Sequence, residues 1–182
     1  FIQDEIKFNS RNKLILGFRY DYHQLHGNIL SPRVNYKINS IDNKSILRLS
    51  IGNGYRIANV FTEDHAALTG ARDVVFSEEL HPETSWNGNI NFEQRIYSER
   101  INSINIDASL FYTYFNNKII PDYDTDVDKI IYSNLVGYAI SRGASLNLNF
   151  NINKAFSTRI GATFIDMYSI ENNIKTYQYL TE

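Results

Sequence analysis

Apolar side chains recur at every second position along most of this chain, and a period of two belongs to a β-strand, whose successive residues point to opposite faces. Leu14, Leu16, Phe18, Tyr20 and Tyr22 share one parity, while Gly17, Arg19, Asp21 and His23 share the other. Val34, Tyr36 and Ile38 alternate with Arg33, Asn35, Lys37 and Asn39, and Leu47, Leu49 and Ile51 with Arg48, Ser50 and Gly52. The pattern returns in Trp86, Ile90 and Phe92, in Ile104 to Tyr114, in Leu146 to Ile152 and in Ile160 to Phe164. No long window has the three-to-four spacing of a helical stripe. The chain is therefore read as all-β.

Several runs reach about 10 residues or more, the length a tilted strand needs to cross a bilayer, whereas soluble strands average about 5 or 6. The connections also alternate in length. A medium loop near 24–30, a long loop at 57–83 and a loop at 116–129 are separated by tight turns at 40–45, 97–100 and 153–155. Outer-membrane barrels combine long external loops with short periplasmic turns in this way. On that rule 14–23, 46–55, 101–115 and 156–168 run outward, and 31–39, 84–96 and 130–152 run inward. Tyr20, Tyr22, Tyr55, Tyr112, Tyr114 and Tyr168 then fall near outward strand ends, and Trp86, Tyr132 and Tyr138 near inward strand starts, as an interfacial girdle requires. Arg33, Lys37, Arg48, Glu93, Asp107 and Arg159 would line a wet interior. In a soluble sandwich they would face solvent equally well, so alternation alone leaves both open.

Composition removes other classes. With 43% hydrophobic residues the chain of 182 residues is no disordered tail, and 18 basic against 20 acidic side chains give no field to attract nucleic acid. Zero cysteines exclude disulfides and thiolate metal sites. Mean hydropathy is −0.35 and no stretch approaches the roughly 18–20 apolar residues of a spanning helix. Phe1-Ile2-Gln3-Asp4-Glu5 has no initiator Met and no signal-peptide pattern, as expected of a processed or excised piece. No nucleophile elbow, phosphate loop or zinc-protease motif occurs, and Gly52-Asn53-Gly54 lacks the strand-to-helix setting of a dinucleotide loop, so no enzyme is expected.

The order of motifs resembles the C-terminal part of the β-barrel of a TonB-dependent outer-membrane receptor. The matching pieces are Gly17-Phe18-Arg19-Tyr20-Asp21, Leu30-Ser31-Pro32-Arg33, and Leu47-Arg48-Leu49-Ser50 leading into Gly54-Tyr55-Arg56 with Phe61-Thr62-Glu63. Leu80-His81-Pro82-Glu83-Thr84-Ser85-Trp86-Asn87, then Leu110 to Ile119, then Tyr132-Ser133-Asn134 followed by Gly143 continue it. Asn59 stands where many relatives have Pro, and Ala144-Ser145 replaces a hydrophobic-Glu pair. The resemblance implies an antiparallel up-and-down transmembrane barrel segment of about 7–8 strands, out of about 22 in the whole barrel, over residues 1–182 without separate domains. An open sheet of that size leaves unpaired edges that hydrocarbon does not tolerate, so a fragment or one part of a split receptor is expected.

The same resemblance implies energised import of a siderophore or other metal chelate across the outer membrane of a Gram-negative bacterium. The partners would be membrane lipid, the remainder of the barrel, the small-molecule ligand, and TonB with its inner-membrane motor, reached through a plug domain that this chain lacks. A passive porin or adhesin barrel and a soluble β-sandwich binding module are the competing readings.

Candidate site residues follow from chemistry. Tyr55, Arg56 and Arg72 suit an anionic chelate through charge-assisted hydrogen bonds and stacking, and His81 lies in the same rich polar stretch. His65 lies where haem receptors of the resembled family carry an axial ligand, and imidazole suits haem iron, zinc or copper. His23 and His26, three residues apart, offer two imidazoles but no complete metal site. Asp122, Asp124, Asp126 and Asp128 crowd hard oxygen ligands into one external loop, as Ca²⁺ requires, although the Gly and Glu of an EF-hand are missing. Alternate Asp residues equally make a solvated acidic face.

Overall fold

The computed structural model describes residues 1–57, 70, 72–98, 102–152 and 156–177. Among them the chain forms β1 (Ile2–Lys7), β2 (Asn12–His23), β3 (Gly27–Asn39), β4 (Ser45–Arg56), β5 (Asp73–Phe76) and β6 (Glu83–Ile96). These are followed by β7 (Ser103–Asn117), β8 (Ile119–Asp122), β9 (Lys129–Asn134), β10 (Gly137–Asn151), β11 (Ser157–Glu171) and β12 (Ile174–Tyr177). Nine strands make one antiparallel sheet in the order β1-β2-β3-β4-β6-β7-β10-β11-β12, and β5-β9-β8 make a second. Sequence order is kept across the large sheet because β5, β8 and β9 leave it for the smaller one. The seven long strands read from the alternation are present, and the short edge strands β1 and β12 extend them.

Register gives the two faces their character. Leu14, Tyr36, Leu49, Ile90, Leu110, Ala144 and Phe164 stand opposite one another across seven strands, so the apolar parity of every strand falls on the same side. One residue along, Lys13, Lys37, Arg48, Asn91, Ser109, Ser145 and Thr163 form a polar row on the other side. A one-residue slip on any strand would mix the faces, which fixes the register wherever one face meets an apolar phase. The polar face is laced together: Arg48 bonds Glu93 and, at 2.9 Å, Asn91, while Asn91 donates to Asp107 at 3.2 Å and Ser109 at 3.0 Å. Arg33 donates to Gln3 at 2.9 Å and Arg159 to Asn149 at 2.6 Å.

Among the described residues, no other element covers the apolar face. Leu110 is 55% exposed, Ile160 59% and Phe164 70%. The buried hydrophobic residues among those described are Ile119, Ile130, Tyr132, Leu135, Ala139 and Ile140, all at one end of the strands. A β-sandwich would seal its oily faces against each other. Here the described residues give the large sheet no second layer to seal against.

Three details differ from the sequence reading. The connection near 24–30 is only residues 24–26, because Gly27 adopts a φ of 69° and starts β3 at once. The run 130–152 is not one strand: it splits into β9 and β10, and β9 joins the small sheet. Tyr132 consequently lies in the small core at 3% exposure rather than on an interfacial rim. The loop at 116–129 begins later and contains β8, and that at 57–83 contains β5 and ends where Glu83 opens β6. Residues 99–101 and 153–155 of the expected turns lie outside the described residues.

The break between β9 and β10 has a local cause. Gly137 has a φ of 149°, and a Cβ there would lie 1.9 Å from the carbonyl oxygen of Ile170. Only glycine accepts both the torsion and the approach. Gly137→Ala is expected to destabilise the fold by about 1–3 kcal/mol through strain at this corner. Refolding yield in detergent measures it, and a yield equal to wild type would remove the corner's role.

Candidate functional site

Strands from the two connections expected as loops at 57–83 and 116–129 meet, together with β9, in one small body at the end of the large sheet. β5 pairs in parallel with β9, Val74 opposite Ile130, and β8 pairs antiparallel with β9, Ile120 opposite Ser133. Ile119, Ile130 and Tyr132 form its core, with Val74 and Leu80 packed against them. A parallel pair needs a long crossover. That crossover is the passage down β6 and back along β7, so the cap is tied to the wall by construction.

Glu83 is the joint. It is 7% exposed, and its carboxylate accepts from Arg56 Nε at 2.7 Å and from the Ile119 backbone N–H at 3.1 Å, with Arg56 Nη2 also at 2.7 Å. One side chain therefore pins the end of β4, the start of β6 and the start of β8. Beside it, burial holds the Lys118 ammonium below the usual lysine range, with Glu83 opposing that shift and Arg56 adding to it. Two asparagines complete the seam. Asn117 Nδ2 donates to the carbonyls of His81 and Pro82, each at 3.1 Å, and Asn134 accepts from His81 N–H at 2.9 Å and donates to Glu79 at 2.8 Å. The Asn134 N–H donates to Glu78 at 2.8 Å.

Tyr55 sits near the end of β4, where pairing with β3 has stopped at Arg33 opposite Gly52. The Arg19 guanidinium lies 6.0 Å from its ring centre and pairs with Asp21 at 2.7 Å. Phe1, Arg19, Ser31, Arg33 and Tyr55 line a recess of about 220 Å³ there, with the Arg33 guanidinium 5.0 Å from the Phe1 ring centre. Tyr55 and Arg56 come together in a neighbouring recess of about 190 Å³ with Glu83, Ser85 and Phe115. Arg72 donates to the Tyr123 carbonyl at 3.0 Å, and His81 is held through its backbone. These two serve the cap's own bonding. His65 lies outside the described residues, as do Asn59 and Phe61-Thr62-Glu63.

Two of the four carboxylates in the acidic loop, those of Asp122 and Asp126, are engaged within it. Asp122 accepts from the N–H groups of Asp124 and Thr125 at 2.9 and 3.0 Å and from the Thr125 hydroxyl at 2.6 Å. Asp126 accepts from the Asp128 N–H at 3.0 Å and pairs with Lys129 at 2.9 Å. The Thr125 hydroxyl foremost holds Asp122 below the usual carboxylate range, and Lys129 does so for Asp126. Among the described residues no three His, Asp or Glu side chains gather to hold a metal ion. His23 and His26 stack with ring centres 4.9 Å apart at the β2–β3 turn.

The sequence reading weighed Arg56 as a ligand contact and did not single out Glu83, Asn117 or Asn134. Their signal was present, since all three stand inside the motif strings, but a string does not show which of its polar residues is turned inward.

The solved structures whose fold this chain shares are receptors. The siderophore receptor PirA from Pseudomonas aeruginosa superposes with a TM-score of 0.67 at 18% identity, covering 92% of this chain and 35% of that one. The ferric enterobactin receptor PfeA in complex with BCV-L6 gives 0.62 at 17%, covering 92% and 26%. A mutant of PfeA from Pseudomonas aeruginosa in complex with enterobactin gives 0.61 at 17%, again covering 92% and 26%. The chain thus spans about a third or less of these receptors. No curated protein matches it. The model of the TonB dependent receptor-like β-barrel family matches residues 1–181, and the chain belongs to that family.

Proposed function

We propose that this chain forms part of the wall and outer mouth of an importer that takes up a siderophore or other metal chelate across the outer membrane of a Gram-negative bacterium. The observation that carries the reading is the pair of unlike faces on one sheet, apolar and free of charge from β2 to β7 on one side and hydrogen-bonded and basic on the other, below a folded cap. Such a sheet suits lipid outside and water inside. Lys37 makes no ion pair among the described residues, and the recess around Arg19, Arg33 and Tyr55 offers guanidinium groups and aromatic faces to an anionic chelate. The remainder of the barrel, a plug, TonB and its motor would supply closure, gating and energy.

Uptake by the full-length receptor, tested with ferric siderophore, haem and cobalamin in turn, checks this. Ferric siderophore should enter, and collapse of the proton-motive force should stop it. Entry that persists without that force would identify a passive pore instead. Entry of haem alone would move the cargo to haem, with His65 as the first residue to substitute.

A further inference from the structure

Across β2, β3, β4, β6 and β7 the outward parity carries no charged side chain. On β10, β11 and β12 it does. Arg142 stands opposite Tyr112 on one side and Asp166 on the other, and Lys175 stands opposite Ile170. Between them runs a row in register across five strands, Trp86, Tyr114, Ile140, Tyr168 and Tyr177. Amphipathic rings in such a row mark the level where hydrocarbon gives way to headgroups.

The charges gather on that row. Arg142 pairs with Asp166 at 2.9 Å, and its guanidinium carbon lies 5.8 Å from the Tyr168 ring centre. The Lys175 ammonium lies 3.9 Å from the same centre and 4.3 Å from that of Tyr177, whose hydroxyl it meets at 2.8 Å. Two cations therefore flank one ring, with a single carboxylate among the described residues to balance them. An uncompensated cation on a lipid-facing surface is unfavourable unless an anion meets it at that depth.

An apolar notch opens beside this cluster. Gly88 stands opposite Tyr112, which in turn stands opposite Arg142, so the glycine is two strand spacings, about 10 Å, from the cations. Gly88 lies in a hollow of about 400 Å³ walled by Val34, Leu49, Ile51, Ile90, Leu110 and Tyr112. Tyr112 belongs to both features.

We propose that this surface holds a phosphate-bearing lipid of the outer leaflet, its phosphate between Arg142 and Lys175 and one acyl chain in the Gly88 notch. The proposal rests on the apolar face meeting lipid and is independent of the imported cargo, so these variants leave chelate uptake unchanged.

The test reconstitutes the full-length receptor in phosphatidylcholine vesicles containing phosphatidic acid, extracts it gently, and counts retained lipids by native mass spectrometry. Wild type should retain phosphatidic acid in preference to phosphatidylcholine. Arg142→Gln with Lys175→Gln should lower that preference roughly tenfold or more, since each basic residue at a membrane surface is worth about 1 kcal/mol. Asp166→Asn should raise it, and this variant decides the matter if the double variant does not fold. Gly88→Leu, whose Cβ would meet nothing nearer than 4.0 Å, should weaken retention of long-chain but not of dihexanoyl phosphatidic acid. An unchanged preference in the double variant, or one unchanged by Asp166→Asn, overturns the proposal. So does inorganic phosphate competing as well as the lipid, which would make the cluster a plain anion site.

Discussion

Ile90→Arg is expected to destabilise the folded, membrane-inserted state of the full-length receptor by about 2–4 kcal/mol, the effect of an arginine at the bilayer midplane on the lipid side of a barrel. Ile90 lies in the middle of β6 with Leu49 and Leu110 opposite it, and it is 45% exposed although neighbours flank it on both sides. Asn89→Arg is the matched control. Asn89 stands opposite Ser50 and Phe111 on the polar face, where water hydrates a new guanidinium, and its folded fraction should stay near wild type. The folded band in unheated electrophoresis reports both. Equal behaviour of the two variants would mean that the faces are not in different solvents, and the transmembrane reading would fall with them.

The contrast between Ile90 and Asn89 was readable in the sequence because alternation is a local, repeated signal. A strand of 12 to 15 residues, such as β2 or β7, states its parity six or seven times over, so one interruption like Gly88 does not blur it. The edge strands were not readable for the converse reason. In β1 Asp4 stands on the apolar parity between Ile2 and Ile6, and β12 has four residues. Gly137 is a different failure. Ala139 and Ile140 continue the hydrophobic run past it, and only its torsion shows that the chain turns a corner there.

The cap was the least legible part, because its β5–β9 pair joins stretches on opposite sides of two full-length strands. Val74, Val75 and Phe76 are a three-residue apolar run, which by itself does not separate a strand from a loop. Composition pointed to a rich polar region there, and the structure divides it by role. Tyr55 borders recesses, Arg72 ties the cap to the acidic loop, and Arg56 is held by a carboxylate that the chain supplies itself. Charge type is legible in a sequence; whether the opposite charge comes from a ligand or from Glu83 depends on contacts between segments far apart in it.

Glu83→Ala is expected to release the cap while leaving the wall intact. The substitution strips Arg56 of its acceptor and leaves the Ile119 N–H unpaired at a nearly buried seam, and loss of a charged hydrogen-bond partner destabilises by roughly 2–3 kcal/mol. The larger figure for a fully buried pair is inappropriate, since the Arg56 side chain is 57% exposed and water will meet part of it. Hydrogen exchange of the Ile130 and Tyr132 amides should accelerate by roughly thirtyfold or more, the rate ratio of that energy, while amides at Ile90 and Leu110 keep their protection. Glu83→Gln retains an acceptor for Ile119 but not the charge for Arg56, and should fall between wild type and alanine. Because Tyr55 and Arg56 line the recess that Glu83 closes, the ferric siderophore binding proposed above should weaken in the same order. Unchanged exchange at Ile130 with a folded wall would show that the small core holds the cap without its joint. Faster exchange at Ile90 as well would show instead that cap and wall unfold as one unit.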